Sequence, residues 1–130
     1  MGRILAIDYG EKRLGIAISD ETKTIALSKP YVSAATREEI IKLVNDYEVE
    51  EILIGLPVGL KGVEGESARK ARAFGTWIEE QTGRAVKFID ERFSTKEIQR
   101  EIGKSSRGRE IIDSLVAQRM LERYLEIERT

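Results

Sequence analysis

The chain has 130 residues, 41% of them hydrophobic and 35% charged, and its 22 basic and 23 acidic side chains leave a net charge of −1. That describes one ordinary domain, residues 1–130, able to bury a core without staples. With no Cys and no His, zinc ligation, thiol chemistry and His-based proton transfer are excluded, so any catalysis must use carboxylates, Lys, Tyr, hydroxyls or bound metal.

No apolar run reaches membrane-spanning length and no basic-then-apolar start resembles a signal peptide, so a cytoplasmic protein with no membrane contact is expected. Scarce Asn and Gln beside abundant Glu, Lys and Arg give a thermophile composition.

Ile4 to Ile7 is an unbroken apolar run, which suits a strand buried on both faces. Asp8 closes it, at the rim of the core, where a carboxylate needs a cation or hydrogen-bond donors to offset its desolvation. Gly10 permits a tight reversal, and Leu14 to Ile18 can return antiparallel. The bland alternative is that Asp8 only bonds the turn. Ile25 to Val32 reads as a third strand, interrupted at Pro30 and so placed at a sheet edge.

Thr36 with Glu39 predicts a capping box, followed at helical spacing by Ile40, Ile41, Leu43, Val44 and Tyr47. Ile52 to Ile54 is a short apolar strand ending at Gly55-Leu56-Pro57. A loop with Gly59, Gly62 and Gly65 follows. Ala68, Ala71, Phe74 and Ile78 mark the buried stripe of a second helix that Gly83 ends. Val86 to Ile89 is a fifth strand ending in Asp90-Glu91-Arg92. Ser94 with Glu97 predicts a short capped helix stopped by Gly103, and a basic loop leads into a last helix over Glu110 to Glu126.

The order β-β-β-α-β-α-β-α, a meander followed by crossovers, predicts an α/β fold. Right-handed crossovers give a mixed five-stranded sheet of order 3-2-1-4-5 flanked by helices. In that order the first strand is central, and its carboxyl end faces the crevice where open sheets of this kind hold their sites. Asp8 stands there, and Glu91 stands at the same end of the fifth strand. Asp113 lies on the last helix in line with Val116, Ala117, Met120 and Tyr124, on a stripe otherwise able to pack against the sheet, where an unpaired Asp is unusual. Its bland alternative is a favourable interaction with the helix dipole. Three carboxylates meeting without His or Cys suit Mg²⁺ or Mn²⁺. Two such ions, roughly 4 Å apart, can activate water and stabilise the leaving oxygen of a phosphodiester.

The run IDYGEKRLGIAIS, the GLP turn at Gly55 to Pro57, the DERFST segment from Asp90 to Thr95 and IDSLVAQRMLERYL from Ile112 to Leu125 together resemble the YqgF family, also called RuvX. The resemblance spans nearly the whole chain. It implies an RNase H-like fold and a metal-dependent nuclease that resolves Holliday junctions or processes pre-16S rRNA. It assigns the metal-ligand role to Asp8, the pair Asp90-Glu91, and Asp113.

RNase H-like nucleases usually take a second acid from the end of the fourth strand, but this strand ends in Gly55-Leu56-Pro57. Glu51 lies at its other end and is expected to point away from the site. The second ligand must therefore come from the fifth strand, where alternation sends Asp90 and Glu91 to opposite faces. Glu91, further toward the crevice, is the choice.

From Arg92 to Arg109 six basic residues stand against two acidic ones. Lys12, Arg13, Lys61, Arg92, Lys104, Arg107 and Arg109 are the candidate nucleic-acid contacts, with Arg69, Lys70 and Arg72 as a second cluster. Phosphate contacts of this kind do not separate pre-rRNA from branched DNA. Tyr9 and Phe93 flank the site and could stack a base. No heptad seam is present, so a monomer or weak homodimer is expected. Two rivals remain. A two-domain ATPase of the actin type needs a second phosphate loop and more chain than this. A non-catalytic binding module on the same fold is consistent with the missing fourth-strand acid.

Overall fold

The computed structural model describes residues 2–56, 65–90 and 108–129, with the backbone alone at 90, 108–113 and 128–129. The predicted Ser94 helix and nearly all of the predicted glycine loop lie outside the described residues. Five strands form one sheet: β1 (Arg3–Asp8), β2 (Arg13–Ser19), β3 (Ala26–Ser33), β4 (Val49–Leu56) and β5 (Ala85–Asp90). Their order is β3-β2-β1-β4-β5, as the crossover rule predicts. β1 pairs antiparallel with β2 and parallel with β4, which pairs parallel with β5, so β1, β4 and β5 all end on the same side of the sheet. Pro30 falls on β3, which is indeed an edge strand.

Alternation along β1 divides the core in two. Leu5 and Ile7 pack, with Ile52 and Ile54 of β4, under α1 (Glu39–Asp46) and α2 (Glu66–Thr82). Ile4 and Ala6, with Ala17 and Leu53, pack under α3 (Gly108–Arg129) through Val116, Ala117, Met120, Leu121 and Leu125. Sheet residues of opposite parity therefore face different helices, which makes register the quantity that decides what any strand residue can touch.

Local signals place most element ends. Gly83 adopts φ +69° and its N–H bonds the Glu79 carbonyl at 2.8 Å, closing α2 in the left-handed conformation that glycine takes without strain. A Cβ on Gly10 would lie 2.5 Å from the Arg13 carbonyl oxygen, so the β1–β2 reversal requires a glycine. One signal misled. The Thr36–Glu39 capping box does not form, because a 3₁₀ turn occupies Ala34–Thr36, capped by Ser33 through the Ala35 N–H at 3.3 Å. Thr36 instead donates to the Ser33 carbonyl, and α1 begins at Glu39 without a side-chain cap.

The β2–β3 hairpin turns on Asp20. Its carboxylate accepts from the N–H groups of Thr24 (2.7 Å) and Ile25 (2.9 Å) and from the Thr22 hydroxyl. Led by the Ile25 N–H, these donors hold its pKa down at about 2, below the usual 3.8. A carboxyl whose folded pKa is lowered contributes stability above its unfolded pKa and loses it as pH falls through the folded one. Asp20→Ala is thus expected to lower the melting temperature at pH 6, with the difference from wild type shrinking between about pH 4 and pH 2. Thermal melts of both proteins across that range check it.

Candidate active site

Asp8 is the last residue of β1 and is half-buried. It shares the parity of Ile4 and Ala6, so it lies on the α3 face of the sheet. In register it sits between Gly15 of β2 and Gly55 of β4. Directly opposed residues have Cβ atoms about 4.5–5.5 Å apart, so ordinary residues at 15 and 55 would project beside the carboxylate. Here neither neighbour has a side chain. The position where an RNase H-like nuclease would supply a second acid is a glycine paired with the first.

The start of α3 reaches the same end of the sheet. Ser114, the residue after Asp113, accepts from the Ile16 N–H at 3.4 Å and donates to the Lys29 carbonyl at 2.6 Å. Ile16 pairs with Ile7, one step from the Gly15–Asp8 pair, so the backbone beside position 113 lies over β2 within one residue of the Asp8 level. The stripe expected on this helix is borne out at Val116, Ala117 and Met120, all buried against the sheet.

Of the three predicted ligands, Asp8 alone has a described side chain. Glu91 lies outside the described residues, and Asp113 is described as a helix position only. Among the described residues no three acids assemble into a metal-binding group. What the structure does offer a hard cation is a carboxylate oxygen donor flanked in register by two glycines, on the face that α3 covers.

Glu51 stands at the far end of β4, as expected. It accepts from the Tyr124 hydroxyl at 2.6 Å, and Lys87 Nζ lies 3.4 Å from it and donates to the same hydroxyl at 2.9 Å. The Tyr124 hydroxyl raises the Lys87 pKa, assisted by the Glu51 charge; burial raises that of Tyr124. This cluster pins the C-terminal half of α3, far from Asp8.

The basic candidates separate. Lys12 is exposed on the β1–β2 turn, and its carbonyl accepts from the Ala34 N–H at 2.9 Å. Arg13 opens β2 with its guanidinium 5.7 Å from the Tyr31 ring centre. Arg109 is in the first turn of α3, while Lys61, Arg92, Lys104 and Arg107 lie outside the described residues. In the second cluster, Lys70 bonds Glu11 at 2.8 Å, tying α2 to the turn beside Asp8. That bond lowers the Glu11 pKa and raises that of Lys70. Arg72 lies over the Phe88 ring at 5.0 Å, and Arg69 is exposed.

Tyr9 corrects an expectation. One residue past Asp8, it turns to the other side and packs 5.4 Å from Phe74, in a row continued by Trp77. It belongs to the α1/α2 core and offers no base-stacking ring at the Asp8 face. Phe93 lies outside the described residues. Sequence reasoning also missed that Gly15 and Gly55 flank Asp8 in register. The interruption of an apolar strand by Gly55 was the visible signal.

A central strand ending in an acid, in a mixed sheet of this order, defines the RNase H-like class of fold. It is shared with T. thermophilus RuvC bound to a Holliday junction (TM-score 0.60, 15% identity, 99% of this chain and 96% of that one). Fowlpox virus resolvase, also in complex with junction DNA, is similar (TM-score 0.58, 13% identity, 98% and 99%). Within that class the chain belongs to the RuvX family, described as Holliday junction resolvase, which it matches over residues 2–127. Among its relatives are proteins named "Putative pre-16S rRNA nuclease" from Dictyoglomus thermophilum (41% identical over 102 residues, 75% of this chain and 73% of that one) and Halothermothrix orenii (36% over 134 residues, 97% and 96%). No helix among the described residues is long and apolar enough to cross a membrane.

Proposed function

We propose that this chain is a cytoplasmic, single-domain nuclease that hydrolyses phosphodiester bonds of structured nucleic acid, with the 5′ end of pre-16S rRNA as its substrate. The observation that carries the reading is Asp8 at the carboxyl end of the central strand with glycines at both paired positions. Family membership and the names of the relatives support the activity, and the names favour RNA over a DNA junction.

Asp8, Glu91 and Asp113 would hold Mg²⁺ or Mn²⁺. Glu91 is preferred to Asp90 because Asp90 shares the parity of Val86 and Phe88, which pack on the α1/α2 side, away from Asp8. When bound, a pair of such ions supplies an activated water and stabilises the leaving oxygen. The chain itself supplies the carboxylates that fix the ions and the basic groups that hold the phosphates. With no His in the chain, proton transfer falls to solvent and carboxylates.

The deciding experiment offers purified protein pre-16S rRNA 5′ ends beside four-way DNA junctions, each with Mg²⁺, Mn²⁺ or chelator. Metal-dependent cleavage of the RNA at a defined position is expected. Cleavage of the junction alone moves the substrate to branched DNA. Tight binding without cleavage of either establishes the rival favoured by Gly55, a non-catalytic binding module.

The basic stretch from Lys104 to Arg109 is assigned to the phosphate backbone. Replacing Lys104, Arg107 and Arg109 by Ala is expected to weaken binding across sequences. The salt dependence should flatten by roughly 0.7 to 0.9 log units of slope for each phosphate that is no longer neutralised. Turnover at saturating substrate should change far less. A salt titration of binding checks this, and an unchanged slope moves the phosphate-binding role to the exposed Arg69 and Lys12.

A further inference from the structure

The β2–β3 ladder shifts register between Leu14 and Ile16, opposite Val32 and Lys29. Such irregularities open the ladder and leave backbone groups in need of partners. The Ser114 hydroxyl fills that need: it accepts from the Ile16 N–H at 3.4 Å and donates to the carbonyl of Lys29, the residue paired with Ile16. Ser114 is itself buried, one of two buried polar side chains among the described residues. The other, Ser19, ends β2, where it accepts from the Ile4 N–H at 2.8 Å and donates to the Asp20 carbonyl at 3.0 Å.

Most α3 contacts to the sheet are apolar and non-directional, so they allow the helix to slide or rotate by fractions of a turn. Among the described residues three features with direction restrain it, one of them the bond from Gln118 to the Ala26 carbonyl at 3.1 Å. The Tyr124–Glu51–Lys87 cluster holds the C-terminal half, and Ser114 holds the end nearest Asp8. Ser114 is adjacent to Asp113, and its strand partner Ile16 is adjacent to Gly15, the residue paired with Asp8.

We infer that Ser114 is a positioning residue: by bridging Ile16 and Lys29 across the register shift it sets the separation of the Asp113 and Asp8 backbones, and thereby the affinity of the acids for a divalent cation. The inference rests on the proposed ligand role of Asp113. Groups that orient metal ligands from outside the first layer typically carry about 10–100-fold in metal affinity.

The test is Mn²⁺ binding to the full chain, measured by calorimetry without substrate, for wild type, Ser114→Ala, Ser114→Thr, Asp113→Asn and Tyr124→Phe. Ser114→Ala is expected to bind Mn²⁺ about tenfold or more weakly than wild type. Ser114→Thr, which keeps the hydroxyl, should restore affinity to within a few-fold. Tyr124→Phe removes a hydrogen bond from the same helix at its other end, so it should lower the melting temperature and leave Mn²⁺ affinity unchanged. Wild-type affinity in Ser114→Ala, with binding abolished in Asp113→Asn, overturns the positioning role while leaving the ligand assignment intact. Wild-type affinity in Asp113→Asn overturns the ligand assignment itself. If Ser114→Ala does not fold, Ser114→Thr decides: affinity near wild type supports the role of the hydroxyl, and a tenfold loss overturns it.

Discussion

Asp8→Asn is expected to abolish cleavage, by at least about a hundredfold, while leaving the fold intact. The substitution keeps volume and removes the charge that a hard cation requires, and its effect should reach at least the upper end of what an outer-layer partner contributes. The metal-free variant is expected to melt no lower than wild type, and higher if the three acids crowd one another, since like charges in one site repel and raise each other's pKa. Mg²⁺ should raise the melting temperature of wild type by binding the folded state selectively, and should fail to raise that of the variant. Turnover assays and melts with and without Mg²⁺ check both parts. Unimpaired turnover with unchanged metal dependence would return Asp8 to a structural role. Glu91→Gln and Asp113→Asn should behave as Asp8→Asn does. An active Glu91→Gln beside an inactive Asp90→Asn would move the second ligand one residue back.

Gly55→Val separates stability from activity. Gly55 is buried within β4, between Ile54 and Leu56, where a glycine is entropically costly and contributes no packing. Val suits a strand far better. Its side chain would nevertheless stand beside the Asp8 carboxylate on the α3 face, where the pairing now places no side chain. The expected result is a melting temperature at or near that of wild type and a loss of cleavage of about a hundredfold, the scale that an ångström of misplacement costs a reacting assembly. KM for nucleic acid should change little, because the phosphate contacts are proposed for the basic residues from Lys104 to Arg109. A stable protein cleaving at the wild-type rate would show that the glycine beside Asp8 is not required. That result would count against the site at its most specific point.

Much of this molecule was legible in single segments. The apolar runs at Ile4–Ile7 and Ile52–Ile54, the helical stripe from Ala68 to Ile78 and the stop at Gly83 each carry their own period or conformational requirement, and each formed where its pattern lies. Element order with the crossover rule was enough to place β1 at the centre and β3 at an edge. Asp8 stood out because an acid that closes an apolar strand is costly unless something compensates it.

What the tertiary structure alone decided is which residues meet. A segment's pattern records its own period, whereas register between strands is chosen by packing summed over the whole sheet, and a slip of one residue reverses every face. So no local signal could show that Asp8 lies between Gly15 and Gly55, residues separated from each other by 40 positions of chain. Nor could one show that Tyr9 turns away to Phe74, or that Glu51 finds Tyr124. The Ser114 hydroxyl meets a strand amide 98 residues earlier, because a shift in that ladder left the group in need of a partner.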